Sequence, residues 1–147
     1  MRRRQRDKES GATAIEFVVF TPLLFLLMFG SVQIGLALFA RHVAVSAAQE
    51  GAREARETAV STTTNWQTAS TSAATNWVTQ LLGTMVQGTP TAQPLEPVPL
   101  GNAYPEVGVS VQFDVVSVVP GWTFSVSSSS VGPVECFYQT DGHCNGY

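Results

Sequence analysis

From Phe17 to Ala40 the chain carries no formal charge, and the only clearly polar side chains in that run are Thr21, Ser31 and Gln33. As an α-helix rising about 1.5 Å per residue, the run reaches roughly 36 Å, enough to cross a hydrocarbon core about 30 Å thick. A single tilted transmembrane span fits. Pro22 does not defeat it, because membrane helices tolerate proline where a neighbouring helix or a local kink absorbs the lost hydrogen bond. A secretory signal peptide shares the basic start and apolar middle, but its apolar region is usually about 7–15 residues and ends at a small-x-small site. Here the best site of that kind, Gly35-Leu36-Ala37, lies inside the run.

The span divides the chain by charge. All eight Lys and Arg residues lie at or before Arg56, and everything ionised from Glu57 to Tyr147 is acidic: Glu57, Glu96, Glu106, Asp114, Glu135 and Asp141. Arg2, Arg3, Arg4, Arg6 and Lys8, against Asp7 and Glu9, predict a cytoplasmic N-terminus and an extracytoplasmic C-terminal part. A net charge of −3, with no basic residue in the exported part, argues against nucleic-acid binding. At 147 residues the chain suits one small domain plus an appendage. His42 and His143 have no acid and nucleophile suggestively placed around them, and no phosphate-cradling glycine loop or metal motif occurs. No catalytic residues, cofactor, metal or small-molecule substrate are expected.

At the head of the span stands Glu9-Ser10-Gly11-Ala12-Thr13-Ala14-Ile15-Glu16-Phe17. A carboxylate drawn to the bilayer centre costs on the order of 2.5–3.5 kcal/mol. A position in the first turns of the helix, where the dipole favours negative charge by about 0.3–1 kcal/mol, explains its tolerance but not the glycine five residues before it.

This junction resembles that of type IV pilin-like proteins, and Gly11-Ala12-Thr13-Ala14-Ile15-Glu16-Phe17 is especially similar to the tight-adherence (Flp/Tad) pilus group. The resemblance implies a basic leader, residues 1–11, removed between Gly11 and Ala12 by prepilin peptidase on the cytoplasmic side. The cut would free an α-amine on Ala12 and make Glu16 the fifth residue of the mature chain. In a bundle of staggered helices that amine can meet the Glu16 carboxylate of a neighbouring subunit. Opposite charges about 4 Å apart attract by roughly 4 kcal/mol at an effective dielectric near 20. Desolvation offsets much of this gain, so the pair defines register more than it adds stability.

Beyond Arg41 the helical pattern continues as a stem, residues 41–57, with Ala44, Ala47, Ala48, Gly51, Ala52 and Ala55 at spacings of three and four. Such a stripe of small residues admits another backbone closely. It serves either a partner helix or the chain's own small domain, and the two are compatible on one long helix. Gln49, Glu50, Arg53, Glu54, Arg56 and Glu57 take mostly the other faces, with Arg53 and Glu57 as an i,i+4 pair. The run from Val43 to Ala55 is similar to the TadE-like family, whose members follow the span with an alanine-rich run ending in an A-x-E-G-A-R-type segment. Ala48-Gln49-Glu50-Gly51-Ala52-Arg53 has that shape. The resemblance covers the first 57 residues and the remainder only loosely. It implies a minor pilin or pseudopilin, since major Flp pilins have little beyond the helix.

The exported domain, residues 58–147, reads as α+β. Trp66, Ala69, Ala73, Trp77 and Leu81, joined by Ala74, Val78, Leu82 and Met85, have helical spacing, so an amphipathic helix is expected with its tryptophans as core or interface anchors. Membrane-surface contact is a second use for them, although no cationic face accompanies it. Five prolines between Gly88 and Pro105 predict an extended connector. Val107, Val109, Val111, Phe113 and Val115 alternate with smaller or polar residues as in a half-buried strand. Pro120-Gly121 is a turn signal, and Trp122, Phe124 and Val126 alternate in a second strand, completing a β-hairpin that must pack on a helix. Serines 127 to 130 are exposed strand residues or a flexible turn. A comparable hairpin follows the stem in TadE-like proteins, and Gly132-Pro133-Val134-Glu135 is similar to their closing segment. Cys136 and Cys144 enclose a short loop on the exported side, where a disulfide worth roughly 2–3 kcal/mol is expected, with two free thiols as the alternative. With His143 they would offer at most three zinc ligands, where structural sites usually need four.

The expected organisation is therefore a leader 1–11, a transmembrane helix 12–40, a stem 41–57 and an α+β domain 58–147 with a Pro-rich connector 88–105. The resemblance implies a processed minor pilin whose partners are the membrane, prepilin peptidase, other pilin subunits and the Tad assembly platform, with possible placement in a cell-surface pilus. The alternative is an unprocessed, signal-anchored extracytoplasmic binding domain.

Overall fold

The computed structural model describes residues 6–59, 65–95, 106–118 and 121–134. The chain forms two compact units, Met1–Leu36 and Ala37–Tyr147. Helix α1, Arg6–Thr58, begins in the first and ends in the second. No described side chain from Ala14 to Phe39 is buried, and Phe17 is 72% exposed. A helix so largely apolar, with so little of it covered, is compatible with a single-pass membrane anchor. It is long and apolar enough to cross a membrane. Its polar side chains are satisfied locally: the Thr21 hydroxyl donates to the Phe17 carbonyl at 2.6 Å and the Ser31 hydroxyl to that of Met28 at 2.8 Å. Both bonds keep a hydroxyl from facing hydrocarbon without a partner. Pro22 lies within the helix without ending it.

The second unit holds the rest of α1, then α2 (Trp66–Leu82), a short 3-10 turn (Gly83–Met85), and three strands, β1 (Val86–Leu95), β2 (Glu106–Val116) and β3 (Thr123–Pro133). They form one antiparallel sheet in the order β1-β2-β3. The expected α+β class and hairpin are found in the β2–β3 pair, whose register runs unbroken from Glu106↔Pro133 to Val116↔Thr123. Gly121, with φ of 82°, takes the left-handed conformation that the turn requires. Serines 127 to 130 are strand residues of β3, which runs on to Pro133.

The sheet gains a third strand where an extended connector was expected. Val86–Leu95 pairs with β2 despite Pro90 and Pro94. An edge position explains this, because a proline there gives up a hydrogen bond only on the side that faces away from the sheet. Pro90 falls in the irregularity between Gln87↔Asp114 and Thr91↔Gln112, where three residues of β1 stand against one of β2. Beyond it the Thr91 hydroxyl donates to the Gln112 carbonyl at 3.1 Å, and pairing resumes through Leu95↔Gly108.

Helix α2 starts at Asn65, whose side chain accepts from the backbone N–H groups of Gln67 and Thr68 at 3.1 and 3.3 Å. It ends at Gly83, whose N–H donates to the Thr79 carbonyl. Its buried face is Ser70, Ala74, Val78 and Leu82: of the expected apolar face Ala74, Val78 and Leu82 are buried, while Trp77, Leu81 and Met85 are exposed. The small residues win because α2 lies close against α1: a Cβ on Gly51 would come within 2.9 Å of Ala74 Cβ and 3.0 Å of the Ser70 carbonyl oxygen. Replacing Asn65 by Ala is expected to destabilise the domain by about 1 kcal/mol, checked by the midpoint of chemical denaturation in micelles, and Asn65→Asp should restore it.

Candidate functional site

The site the sequence points to is the head of α1. Gly11 and Ala12 lie in the backbone of α1, which begins five residues before Gly11. Glu16 and Phe17 are exposed. Glu16 is thus nearly three turns inside the helix, where the macrodipole, which acts within the first turn, no longer favours a carboxylate. In the intact chain the expected dipole compensation is absent. Residues 1–5 lie outside the described part of the chain.

The stripe of small residues has a definite place. Ala44, Ala48, Gly51, Ala52 and Ala55 are all buried. Ala44 and Ala48, with Ala40, Val43 and Ala47, form one core with Val78 and Leu82 of α2 and Val109, Val111, Phe113 and Val115 of β2. At Gly51 a Cβ would also lie 3.2 Å from Val109 Cβ. Ala55 belongs to a second cluster with Val107 and Val134, flanked by Ala59 and Trp66. In this chain the stripe is occupied by its own α2 and sheet, and a partner helix pressing on the same face would have to displace them.

On the solvent side of the stem, the Arg53 guanidinium bridges Glu50, at 2.7 Å, and Glu57, at 2.6 Å. The hydrogen bond from Arg53 holds the Glu50 carboxyl below the usual carboxylate range, and Glu50 in turn pushes Arg53 upward. The linkage sign follows from the depressed carboxyl: any contribution to stability is present above its unfolded pKa and fades as pH falls through the folded value. Arg53 is exposed and Glu50 only partly covered, so solvent screening keeps the contribution small.

Arg56 does something the sequence did not announce. Its side chain crosses Gly132 near the end of β3, where a Cβ would stand 2.9 Å from Nη1 and 3.2 Å from Cδ. Its Nε is buried without a hydrogen-bond partner among the described residues. The glycine was legible only as part of the closing Gly132-Pro133 pair, since nothing in the spacing shows which side chain it accommodates.

Among the described residues no three His, Cys, Asp or Glu side chains gather as a metal site would require. Cys136 and Cys144, with His143 between them, lie outside the described residues.

Comparison with curated proteins and with solved structures finds no match. The model of the TadE-like protein family matches residues 11–53. The match starts at Gly11 and ends at Arg53, so it takes in the head of the apolar run, the run itself and the buried stripe of small residues as far as Ala52, and stops short of Ala55, α2 and the sheet. Over its long apolar helix and stem, the chain is similar to the TadE-like protein family.

Proposed function

We propose that this chain is a minor pilin or pseudopilin that contributes to assembly of a tight-adherence pilus. It inserts with its leader in the cytoplasm and its α+β domain outside, is cut by prepilin peptidase between Gly11 and Ala12, and packs its helix among other pilin subunits at the Tad assembly platform. The observation that carries this reading is a lone carboxylate, Glu16, exposed at the head of a helical run that is otherwise uncharged to Phe39, inside a segment that matches the TadE-like family.

The geometry of α1 supports processing. With α1 starting at Arg6, Glu16 is beyond reach of the dipole. A chain beginning at Ala12 would bring the carboxylate back to the first turns and supply a positive terminus for a neighbouring Glu16. The family match begins at the same glycine, leaving residues 1–10 outside it. Beyond the membrane, the domain is free to cap, prime or decorate a filament, because its attachment to the stem is made within its own chain.

The test is the N-terminus of the membrane form, read by Edman sequencing or intact mass. A chain beginning at Ala12 is expected, and Gly11→Leu, which fills the space beside the scissile bond, is expected to leave the full-length mass. A wild-type membrane form that begins at Met1 in cells assembling the pilus would overturn the proposal in favour of an unprocessed surface-anchored binding domain.

A further inference from the structure

The two edges of the sheet are finished differently. β1 forms one edge and β3 the other, each with a strand neighbour on one side only among the described residues. An unpaired edge presents a row of backbone N–H and C=O groups that can template another strand, and proline, charge and bulges are the usual means of blunting it. β1 has Pro90, Pro94 and the irregularity between Gln87 and Thr91. From Thr123 to Gly132, β3 has no proline, no charged side chain and no break in register. The face under the helices is also less complete on this side. Val109, Val111, Phe113 and Val115 of β2 are buried, whereas their partners in β3, Ser130, Ser128, Val126 and Phe124, are only half-buried.

Two arginines of α1 flank this strand. Arg41 lines a shallow groove with Phe124 and Val126 at the start of β3. Arg56 crosses Gly132 near its end, with Nε buried and without a hydrogen-bond partner. Neither forms an ion pair among the described residues, and Glu50 and Glu57 of the stem are held by Arg53. A half-buried guanidinium with an unspent donor carries a cost that an incoming carboxylate relieves. From residue 41 to residue 56 the axis of α1 rises about 22 Å. An extended chain covers that distance in about seven residues.

We propose that the free edge of β3 takes an extended, acidic segment of another protein chain as a fourth strand, with two of its carboxylates, about seven residues apart, on Arg41 and Arg56. The backbone ladder supplies adhesion, and alternate side chains of the segment cover the half-buried Phe124, Val126, Ser128 and Ser130. The arginines select the charge of the segment and fix its register along the edge. A second copy of β3 is a poorer occupant, because that strand has no carboxylate to offer either arginine. The proposal concerns the α+β domain alone and stands whether or not the leader is cut.

The experiment uses the full chain in micelles and a labelled peptide of about ten residues, alternating valine and threonine, with two glutamates about seven positions apart. A second peptide has glutamine in place of both glutamates. Binding is read by fluorescence anisotropy, and hydrogen exchange is followed at the alternate amides of β3 that point away from β2. The glutamate peptide is expected to bind, more weakly as salt is raised, and to slow those amides by about tenfold or more. The glutamine peptide, and the Arg41→Gln protein with the glutamate peptide, are each expected to bind about tenfold more weakly. Arg41 is exposed, so its variant tests the charge without disturbing the packing over Gly132. Equal binding of the two peptides, or no slowing of β3 at a peptide concentration of about 1 mM, would overturn the proposal. So would outward amides of β3 already as protected in the peptide-free chain as those of β2, because the edge is then covered by the chain itself or by a second copy.

Discussion

Gly108→Ala is expected to lower the melting midpoint of the α+β domain by about 10–20 °C, followed by circular dichroism in micelles. Gly108 is buried in the central strand, paired with Leu95 on one side and Val131 on the other. A Cβ there would stand 2.8 Å from Val131 Cα and 2.9 Å from Val131 Cγ2, and closer still to the Ser130 carbonyl oxygen. Two of the three obstructing atoms are backbone of β3, so no change of rotamer can relieve them and the β2–β3 pair itself must move. Overpacking of this sort costs about 1–3 kcal/mol, and more when backbone must shift. In a domain of this size each kcal/mol moves the midpoint by roughly 4–8 °C. Val131→Ala in the same chain removes the Cγ2 contact but leaves the backbone ones, so it should restore only part of the loss. A Gly108→Ala protein melting within about 2 °C of wild type would show that β3 yields freely at this point.

The importance of Gly108 could not be read from periodicity. In the alternation of Val107, Val109 and Val111 with Gly108, Ser110 and Gln112, the glycine looks like one more small residue on the solvent face. What singles it out is the pairing with Val131, which depends on a register set by residues more than twenty positions away. The same alternation did disclose β2 itself, because strict period two with apolar branched residues is an intrinsic property of a strand that packs on one side. The long apolar helix was legible for an equally local reason, since length and lack of charge mark a candidate membrane span without any tertiary information.

Elements that depend on tertiary choice were less legible. Strand β1 looked like a connector because Pro90 and Pro94 forbid a central strand, and only the sheet order shows that an edge is available. The buried face of α2 is centred on the Ala74, Val78 and Leu82 side of the expected apolar face, with Ser70 added, because close approach to Gly51 favours Ser70 and Ala74 over the tryptophans. That choice leaves Leu81 outside the core, and the strand boundary at Thr123 does the same for Trp122. Within the candidate site, Glu16 was conspicuous because a charge in an apolar run needs a reason. Its depth in the helix was not, because it depends on where α1 begins.

That depth makes Glu16 the position where a single substitution should matter most to function. In the proposed role as a processed pilin, Glu16→Val is expected to leave the cut after Gly11 intact and the chain firmly in the membrane, while its incorporation with other pilin subunits falls by two to three orders of magnitude. The asymmetry follows from what the valine does to each partner. For the isolated chain it removes a charge from an apolar surface, which makes residence in lipid easier. For the assembled helix it leaves the neighbour's α-amine charged and unpaired in a dry environment, a loss on the order of 3–5 kcal/mol. At about 1.4 kcal/mol per factor of ten, that supports the stated fall. Glu16→Gln keeps the shape and one hydrogen-bond acceptor without the charge, so it should recover only part of the defect. Glu16→Asp keeps the charge on a shorter stem and should recover more if the amine can follow it. Processing is read by intact mass and incorporation by co-purification with sheared pili, so the two steps are scored independently. If Glu16→Val is cut and enters pili at the wild-type level, the carboxylate does not set the stagger, and its place at the head of the span needs another cause.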